Sequence, residues 1–443
     1  MKVTKLPKDP GVTGWNAILP EAPMAEVLED RITADWLVIG AGYAGLAAAR
    51  RLAQLHPRDQ IVVLEASRVG HGPAGRNSGF MIDLPHDLAS DDYGGALEKD
   101  LAQTRANRAG IGFAAEMAAE YGLSGEAFAL SGKTNAAASE RGHQHNLEYA
   151  AHLTRMGEAH EVLDAQQMHA MTGTDYYRSG LFTPGTAMIQ PAMFVRGVAQ
   201  GISSNRVKVF EGSPVTALTR NGGWQAQTPK GAVSAPRVIL AVNGHANSFG
   251  HFAGQLLHVF TYASMTRALD GGEIAKLGGE AQWGVTPADP MGTTVRRISG
   301  TGGDRIIIRN RFTCDPSMEV SDARIARVGR DHDAAFAARF PMLSGVGMEY
   351  RWGGRLCLSW NNVPALGEVE DGLFLACCQN GLGTAKGTLH GRLMAELASG
   401  IGSELLDEVM AQDAPRQLPP RVVTWLGANA VIRRGERKAG REL

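Results

Sequence analysis

The fold is decided by residues 34–65, which read ADWLVIGAGYAGLAAARRLAQLHPRDQIVVLE. A short apolar run ends at Gly40, a GAGYAG motif follows, and alanine and leucine then recur at helical spacing. A second apolar run, from Gln60 to Leu64, ends at Glu65, which follows the last glycine of the motif by 20 residues. The order strand, glycine turn, helix, strand predicts the opening βαβ unit of a Rossmann-like α/β domain.

Each part of this motif has a physical task in binding a dinucleotide. The first glycine makes a tight turn, the second lets a pyrophosphate approach the backbone, and the third lets the helix pack against the strand. The helix N-terminus directs unpaired N–H groups at the phosphates. Glu65 fits the acid that binds ribose hydroxyls, and its charge would repel a 2′-phosphate, which favours NAD or FAD over NADP. The predicted cofactor contacts here are Gly40, Ala41, Gly42, Tyr43, Ala44, Gly45, Glu65 and Ala66.

A second glycine-rich segment, residues 69–79, reads VGHGPAGRNSG. This segment distinguishes an FAD-binding protein from an NAD-binding one. It resembles the VG-x-GASGRN-(G/S)-G signature that follows the ribose acid in amine-oxidising members of the D-amino-acid-oxidase (DAO) superfamily of FAD enzymes. Pro73 and Ala74 replace the usual Ala-Ser pair, which removes one hydroxyl donor. The resemblance implies FAD contacts at Gly75, Arg76, Asn77, Ser78 and Gly79.

Later segments resemble further parts of the same family, in the same order. Residues 185–191 precede a helical segment and are similar to the family's GGxxxP motif, which begins its second flavin-binding part. The strand around Val215 falls where the family's backbone clasps the adenine, and residues 239–244, ILAVNG, resemble the strand end vvlATNa. The cofactor contacts that these matches imply are Val215, Ala241, Asn243 and Gly244.

The C-terminal part carries two more matches. Residues 352–367, WGGRLCLSWNNVPALG, resemble the family pattern WxGxRxxTPDxxPxxG, and residues 381–386, GLGTAK, resemble its GHGxxxA or GRGxxxA loop. The combination is similar to that of the γ-glutamylputrescine-oxidase-like amine oxidoreductases. In relatives this loop faces the pyrimidine edge of the flavin, where helix N–H groups stabilise negative charge. The implied contacts are Gly381, Leu382, Gly383, Thr384, Ala385 and Lys386, and stabilisation of that edge is expected from Gly383, Thr384 and Lys386.

The resemblance also bears on how the flavin is attached and how a substrate is recognised. The linking cysteine of covalent relatives would fall on Gly354 rather than Cys357, and His71 is about one position from a linking histidine, which together favour noncovalent FAD. An arginine over the flavin could hold a substrate carboxylate through two hydrogen bonds, although a structural ion pair is the alternative for any one arginine. The arginine candidates for binding the substrate are Arg297 and Arg309, and Arg296 is similar to them. Asn361 is a further candidate substrate residue.

Composition excludes several other classes of protein. The 443 residues carry 44 Lys and Arg against 45 Asp and Glu, so the net charge of −1 provides no field to attract nucleic acid. Four cysteines without a CxxC pair, no apolar run long enough to span a membrane and no signal-peptide pattern favour a cytoplasmic protein. HExxH, GxSxG and P-loop motifs are absent, and no metal site is expected. The basic segment 433–443 is expected to be a solvated helix or tail.

We therefore predict an α/β flavoprotein with two domains. Residues 1–88, 178–252 and 350–443 form a discontinuous Rossmann-like FAD-binding domain, and residues 89–177 and 253–349 form a substrate-binding domain with an antiparallel sheet and helices.

The resemblance implies oxidation of a C–N bond of a small-molecule amine or amino acid by hydride transfer to flavin N5, after which the imine hydrolyses to an aldehyde or keto acid. No side-chain base is strictly required, because the cofactor carries the chemistry. The electron acceptor, O2 or another carrier, stays open. Two alternatives are an NAD-dependent dehydrogenase, which has no use for the later glycine loops, and a non-catalytic subunit that FAD braces within a larger complex.

Overall fold

The computed structural model describes residues 1–85 and 95–443. The predicted domain boundary at residues 88 and 89 lies outside the described residues. The described strands form sheets of six, eight, four and three strands. In chain order the strands are β1 (Arg31–Thr33), β2 (Trp36–Ile39), β3 (Ile61–Leu64), β4 (Phe80–Met81), β5 (Phe128–Leu130), β6 (Lys133–Ala137), β7 (Glu161–Leu163), β8 (Ser179–Thr183), β9 (Ala187–Ile189), β10 (Val207–Phe210), β11 (Ala217–Arg220), β12 (Trp224–Gln227), β13 (Ala232–Ala235), β14 (Arg237–Leu240), β15 (Leu256–Thr266), β16 (Trp283–Pro287), β17 (Thr294–Ile298), β18 (Arg305–Cys314), β19 (Met348–Ser359), β20 (Ala365–Glu370) and β21 (Leu373–Cys377).

Helices lie between these strands and at the C-terminal end of the chain. In chain order they are α1 (Gly14–Ala17), α2 (Tyr43–Leu55), α3 (Leu97–Glu120), α4 (Glu140–Met156), α5 (Ala165–Thr172), α6 (Pro191–Ile202), α7 (Gly271–Leu277), α8 (Asp322–Arg339), α9 (Ala385–Ala398), α10 (Glu404–Met410) and α11 (Arg421–Ala439).

The six-stranded sheet has the order β10-β3-β2-β14-β21-β20. All neighbours in it are parallel except β20 and β21, which are antiparallel. Every residue of β2 and β3 is buried, as expected for parallel strands covered on both faces. The βαβ unit predicted from residues 34–65 is therefore the centre of this sheet, and the predicted α/β fold class is confirmed.

Two helices that begin at glycine-containing loops, α2 and α9, pack directly against each other beside this sheet. A β-carbon built on Gly391 of α9 would lie only 1.9 Å from the carbonyl oxygen of Ala44 in α2, so this contact requires glycine. Both helices share one apolar core with the β2 and β3 side chains Val38 and Val63. The N-terminal and C-terminal parts of the chain are thus joined at the level of these two helices.

The eight-stranded sheet has the order β19-β15-β18-β17-β16-β6-β8-β7. Its neighbours are antiparallel except β6 and β16, which run parallel. Across its centre Ala263 of β15 lies opposite Arg309 of β18, and Arg309 lies opposite Thr294 of β17. Residues directly opposite each other project from the same face, so these three side chains form one row.

Sheet membership differs from the predicted domains in three places. Strand β8 pairs with β6 in the eight-stranded sheet, although the predicted FAD-binding domain includes residues 178–183. Strand β19 pairs with β15 from Met348 to Ser359, across the predicted boundary at residue 350. Helix α11 bonds to β18 of the same sheet through Asn429 and Cys314. The predicted boundaries are placed at sequence motifs, which mark the cofactor-binding loops. They differ from sheet membership because strand pairing does not stop at these motifs.

Among the helices of residues 1–85 and 95–443, none combines the length and the hydrophobicity that a membrane span requires. The same ranges contain no group of three or more His, Cys, Asp or Glu residues arranged to hold a metal ion.

Candidate active site

A cavity of about 300 Å³ opens at the carboxyl ends of β2, β3, β14 and β21 and reaches one face of the eight-stranded sheet. In open α/β sheets this end of the strands is where ligands bind. The predicted residues that line it are Gly40, Ala41, Gly42, Tyr43, Ala44, Glu65, Ala66, Arg76, Asn77, Ser78, Val215, Ala241, Asn243, Gly244, Arg309, Gly381, Leu382, Gly383 and Thr384. The predicted residues outside its lining are Gly45, Gly75, Gly79, Arg297, Asn361, Ala385 and Lys386.

The glycines of the GAGYAG loop have different surroundings. Gly40 has a φ of +103°, and a β-carbon on Gly45 would lie 1.7 Å from the Gly40 carbonyl oxygen, so the first and third glycines serve the turn and its packing. A β-carbon on Gly42 would meet only the Ala74 β-carbon, at 3.6 Å. Gly42 is the N-cap residue of α2, so the second glycine leaves open space where that helix N-terminus meets the cavity. This arrangement fits a phosphate.

Glu65 provides a second test of whether a dinucleotide fits. Its side chain is half-buried, and its carboxylate accepts hydrogen bonds from the Ala41 N–H and the Ser67 N–H, both at 3.0 Å. Burial raises the pKa of Glu65, and no cation of the described residues forms an ion pair with it. A half-buried carboxylate without a cation is stabilised by further donors, which ribose hydroxyls supply. The residues present therefore fit the ribose and pyrophosphate of FAD.

The GRNSG loop is held in place chiefly by its own side chains. The buried Arg76 guanidinium donates to the carbonyl oxygens of His71, Pro10, Gly11 and Gly353 at 2.6 to 3.2 Å, so its bonding capacity is largely taken up by backbone. Asn77 donates to Ala74 O and accepts from Gly79 N.

From outside the loop, Arg296 donates to the carbonyl oxygens of Ser78, Gly79 and Ile189. Burial lowers the pKa of Arg296 to about 10. Arg296 therefore fixes this loop, and its guanidinium is engaged by backbone rather than presented to a substrate.

The C-terminal loop supplies a second helix N-terminus to the cavity. The Thr384 hydroxyl donates to Phe80 O at 2.7 Å rather than capping α9, and a β-carbon on Gly383 would meet nothing nearer than the Gln379 β-carbon at 3.9 Å. A β-carbon on Gly387 would lie 3.5 Å from the Tyr43 β-carbon, which shows how close α9 comes to the start of α2. Both loops therefore open onto one cavity.

Two of the three candidate substrate residues are engaged elsewhere. Arg297 is buried, pairs with Asp304 at 2.8 Å and donates to the carbonyl oxygens of Gly278 and Glu280. Asn361 donates to Ala414 O and accepts from the Arg416 N–H, which closes a loop outside the cavity. Neither residue faces a substrate in this arrangement.

Arg309 is the candidate that lines the cavity. Its guanidinium carbon lies 4.5 Å from the centre of the Phe312 ring. Thr261, Ala263, Thr286 and Thr294 lie on the same wall, and sequence analysis did not single them out. Isolated threonines in strands carry no motif, so only the strand register reveals that they share a face with Arg309.

The N-terminal arm, residues 1–12, covers another side of the cavity. Asp9 pairs with Arg355 at 2.9 Å, and Arg355 also donates to His245. Lys5 pairs with Glu319 at 2.9 Å. These bonds connect positions more than 100 residues apart along the chain, so no local pattern could have indicated them.

Several titratable groups at this end of the cavity are neutral. Burial, with the charge of Arg355, lowers the pKa of His245 to about 3 and that of His258 to about 4. Cys357 lines the cavity next to Cys378, and hydrogen bonding between the two thiols, together with burial, raises the pKa of Cys357. His71 is exposed and lies outside the cavity lining. Noncovalent attachment of FAD stays a prediction.

Comparison with known proteins agrees with these features. Residues 35–397 match the model of the DAO family, described as FAD dependent oxidoreductase. The chain is 26% identical over 410 residues to the probable oxidoreductase OrdL of Rhizobium meliloti, covering 90% of this chain and 91% of that protein. It is 26% identical over 408 residues to the gamma-glutamylputrescine oxidoreductase of Escherichia coli, covering 85% and 86%.

Among solved structures, glycine oxidase from Geobacillus kaustophilus superposes with a TM-score of 0.67 at 19% identity, covering 84% of this chain and 96% of that one. At this identity the likeness shows a common fold.

Proposed function

The chain belongs to the DAO family of FAD-dependent oxidoreductases, and from this premise we propose that it oxidises the C–N bond of a small amino acid or N-substituted amino acid. FAD is its cofactor and, when bound, accepts a hydride from the carbon beside the amine nitrogen. Beyond C–N oxidation, the proposal specifies that the substrate carries a carboxylate group. Arg309 is the residue proposed to bind that carboxylate.

The position of Arg309 is the observation that carries this proposal. It lies in the cavity wall formed by β15, β18, β17 and β16, in a row with Ala263 and Thr294. A guanidinium matches a carboxylate with two parallel hydrogen bonds, and a partly buried site strengthens such bonds. The names of two structural relatives, glycine oxidase and iminodiacetate oxidase, refer to compounds that carry both an amine and a carboxylate.

Other residues of the chain hold the cofactor in this proposal. With FAD bound, the backbone N–H groups at Gly42 would bind the phosphates, those at Gly383 would stabilise the pyrimidine edge, and Glu65 would accept from the ribose. The eight-stranded sheet excludes water from the reacting carbon and orients the substrate. The arm, residues 1–12, covers the opposite side. A cytoplasmic location is part of the same proposal.

An anaerobic screen tests the proposal. Glycine, sarcosine, L-proline and iminodiacetate are compared with putrescine and methylamine for loss of the visible absorbance of oxidised flavin, and air is then admitted. We expect bleaching by at least one compound that carries a carboxylate. Bleaching only by amines without a carboxylate would contradict the role of Arg309, and bleaching by no amine in a wider screen would favour the non-catalytic alternative.

Variants of Arg309 sharpen the test. Arg309→Met should raise KM for the carboxylate substrate by about 10- to 150-fold, because hydrogen bonds to charged groups contribute about 1.5–3 kcal/mol. Arg309→Lys keeps the positive charge but loses the planar pair of N–H donors, so its KM should lie between those of wild type and Arg309→Met. Arg330→Met, an exposed arginine of α8, is the matched control and should leave KM unchanged. Equal KM values for Arg309→Met and wild type would overturn the assignment.

A further inference from the structure

A buried polar cluster beside the cavity wall sets the hydrogen-bonding direction of the Thr286 hydroxyl. Thr286 lines the cavity on β16. Strand β6 runs parallel to β16 with Asn135 directly opposite Thr286. Lys133 lies two residues earlier on β6, so its side chain projects from the same face. Lys133, Asn135 and Thr286 are each no more than 4% exposed.

The three side chains form a closed set of hydrogen bonds. The Thr286 hydroxyl oxygen lies 2.6 Å from Asn135 Oδ1, and Lys133 Nζ lies 3.3 Å from the same hydroxyl. Lys133 Nζ also donates to Asn135 Oδ1. Asn146 donates to the Asn135 carbonyl oxygen at 2.8 Å, which fixes the backbone of β6 at this point.

The chemistry of these groups sets the direction of each bond. An ammonium group only donates, so Asn135 must present its Oδ1 and the Thr286 oxygen must accept from Lys133. Since Asn135 Oδ1 is an acceptor, the Thr286 hydroxyl gives it its single proton. Burial lowers the pKa of Lys133 to about 8 and Asp83 opposes that shift, so the ammonium form predominates at pH 7.

One lone pair of the Thr286 hydroxyl is left for a ligand. A hydroxyl has one proton and two lone pairs, and here the proton and one lone pair are already used. A ligand group that reaches the Thr286 hydroxyl from the cavity therefore meets an acceptor and not a donor. We propose that Thr286 accepts a hydrogen bond from the N–H of the substrate amine, with Lys133 and Asn135 as positioning residues that fix its polarity.

The inference rests on the proposed function and adds the orientation of the substrate. The register that places Val285 opposite Val295 puts Thr286 opposite Thr294, and Thr294 is opposite Arg309. Thr286 and Arg309 are therefore two strands apart, about 10 Å between α-carbons. A compound with both groups lies across β17, with its donor end over β16 and its carboxylate over β18. The geometry selects substrates whose nitrogen carries at least one hydrogen.

Two isosteric acids provide the test. 2-Aminoisobutyrate and pivalate differ only in having an ammonium group or a methyl group, and neither has a C–H beside nitrogen that can be oxidised. Each is titrated into the flavin-loaded protein, and binding is followed by the change in the visible flavin spectrum. Wild type should bind 2-aminoisobutyrate about tenfold more tightly than pivalate, as expected for one charge-assisted hydrogen bond.

Three variants separate recognition from structure. Thr286→Val should bring the ratio of the two affinities close to one while leaving pivalate binding within about twofold. Thr286→Ser keeps the hydroxyl and should preserve the ratio. Lys133→Met removes the donor that holds Asn135 Oδ1 in place, so the Asn135 amide can turn its NH2 group toward Thr286 and free the Thr286 proton. The ratio should then fall although Thr286 is intact. A merely structural role would weaken both acids equally and leave the ratio unchanged.

The outcomes also separate this inference from the proposed function. An unchanged ratio in Thr286→Val, or no saturable change with either acid in wild type, overturns the role of Thr286. If an amine bleaches the flavin but the ratio does not respond to Thr286→Val, only the role of Thr286 fails. If the ratio responds but no amine bleaches the flavin, the binding role stands and the proposed oxidation fails. The flavin spectrum and Tm of each variant report whether it has folded.

Discussion

Replacing Gly42 and Gly45 separately by alanine distinguishes a cofactor cradle from a packed turn. The two glycines are three residues apart in the same motif, but a new β-carbon would meet different neighbours. On Gly42 it would lie 3.6 Å from the Ala74 β-carbon, an ordinary contact. On Gly45 it would lie 1.7 Å from the Gly40 carbonyl oxygen, which no side-chain adjustment relieves.

These distances set the expected magnitudes. Gly42 has φ −88° and ψ −169°, which alanine adopts without strain, so the free energy of unfolding of FAD-free Gly42→Ala should change by less than about 1 kcal/mol. The added methyl occupies the space at the start of α2, and the loss of one charge-assisted hydrogen bond to phosphate weakens FAD binding by about 10- to 150-fold. Gly45→Ala should cost about 3 kcal/mol or more of stability, because backbone must move.

Urea unfolding of the FAD-free proteins measures the first quantity, and titration of FAD with fluorescence detection measures the second. The pair serves as its own control, since both variants add one methyl group to the same motif. Wild-type FAD affinity in Gly42→Ala, or wild-type stability in Gly45→Ala, would refute the division of roles between the two glycines.

Three further predictions concern charged groups around the cavity and at the eight-stranded sheet. The pKa of the Glu65 carboxyl is raised above its ordinary value of 4.5, so the folded state binds the carboxyl proton more tightly than the unfolded state does. FAD-free wild type should therefore lose stability relative to Glu65→Gln as the pH rises from about 4.5. Tm measured against pH for the two proteins checks this, and parallel curves would contradict it. Asp9→Asn removes the charged partner of Arg355 and so weakens the attachment of the N-terminal arm by about 1–2 kcal/mol. FAD release should become about 5- to 30-fold faster. An unchanged release rate in a stopped-flow measurement would show that the arm does not retain FAD. Glu442→Ala leaves the buried N–H groups of Ala138 and Ser139 without their acceptor and should lower the free energy of unfolding by about 2 kcal/mol in urea. A change below about 0.5 kcal/mol would count against it.

The parts of the site that sequence predicts are those coded by local patterns. The strand, glycine loop and helix around Gly42, and the loop before α9, are contiguous in sequence, and each brings its own backbone N–H groups to the cavity. The α/β fold class, the family resemblance and FAD as cofactor are confirmed on this basis. Residue roles at these loops stay predictions that the variants above test.

The parts that sequence does not predict depend on register and on distant contacts. Arg296 and Arg297 are adjacent, so they project from opposite faces of β17, and no local feature indicates which face meets the cavity. Arg309 lines the cavity because its strand places it opposite Thr294. Most of the basic segment 433–443 is exposed, as predicted, but Glu442 is buried and accepts from the Ala138 and Ser139 N–H groups, which no local pattern indicates.

Hydrogen–deuterium exchange with and without FAD tests the central claim most directly. If one FAD lies between the two helix N-termini, its addition at one equivalent per chain should protect amides in both residues 40–45 and residues 381–387. Protection of the first segment alone would mean that the flavin ring does not reach the C-terminal loop. That result, or failure of the protein to take up FAD, would contradict the account.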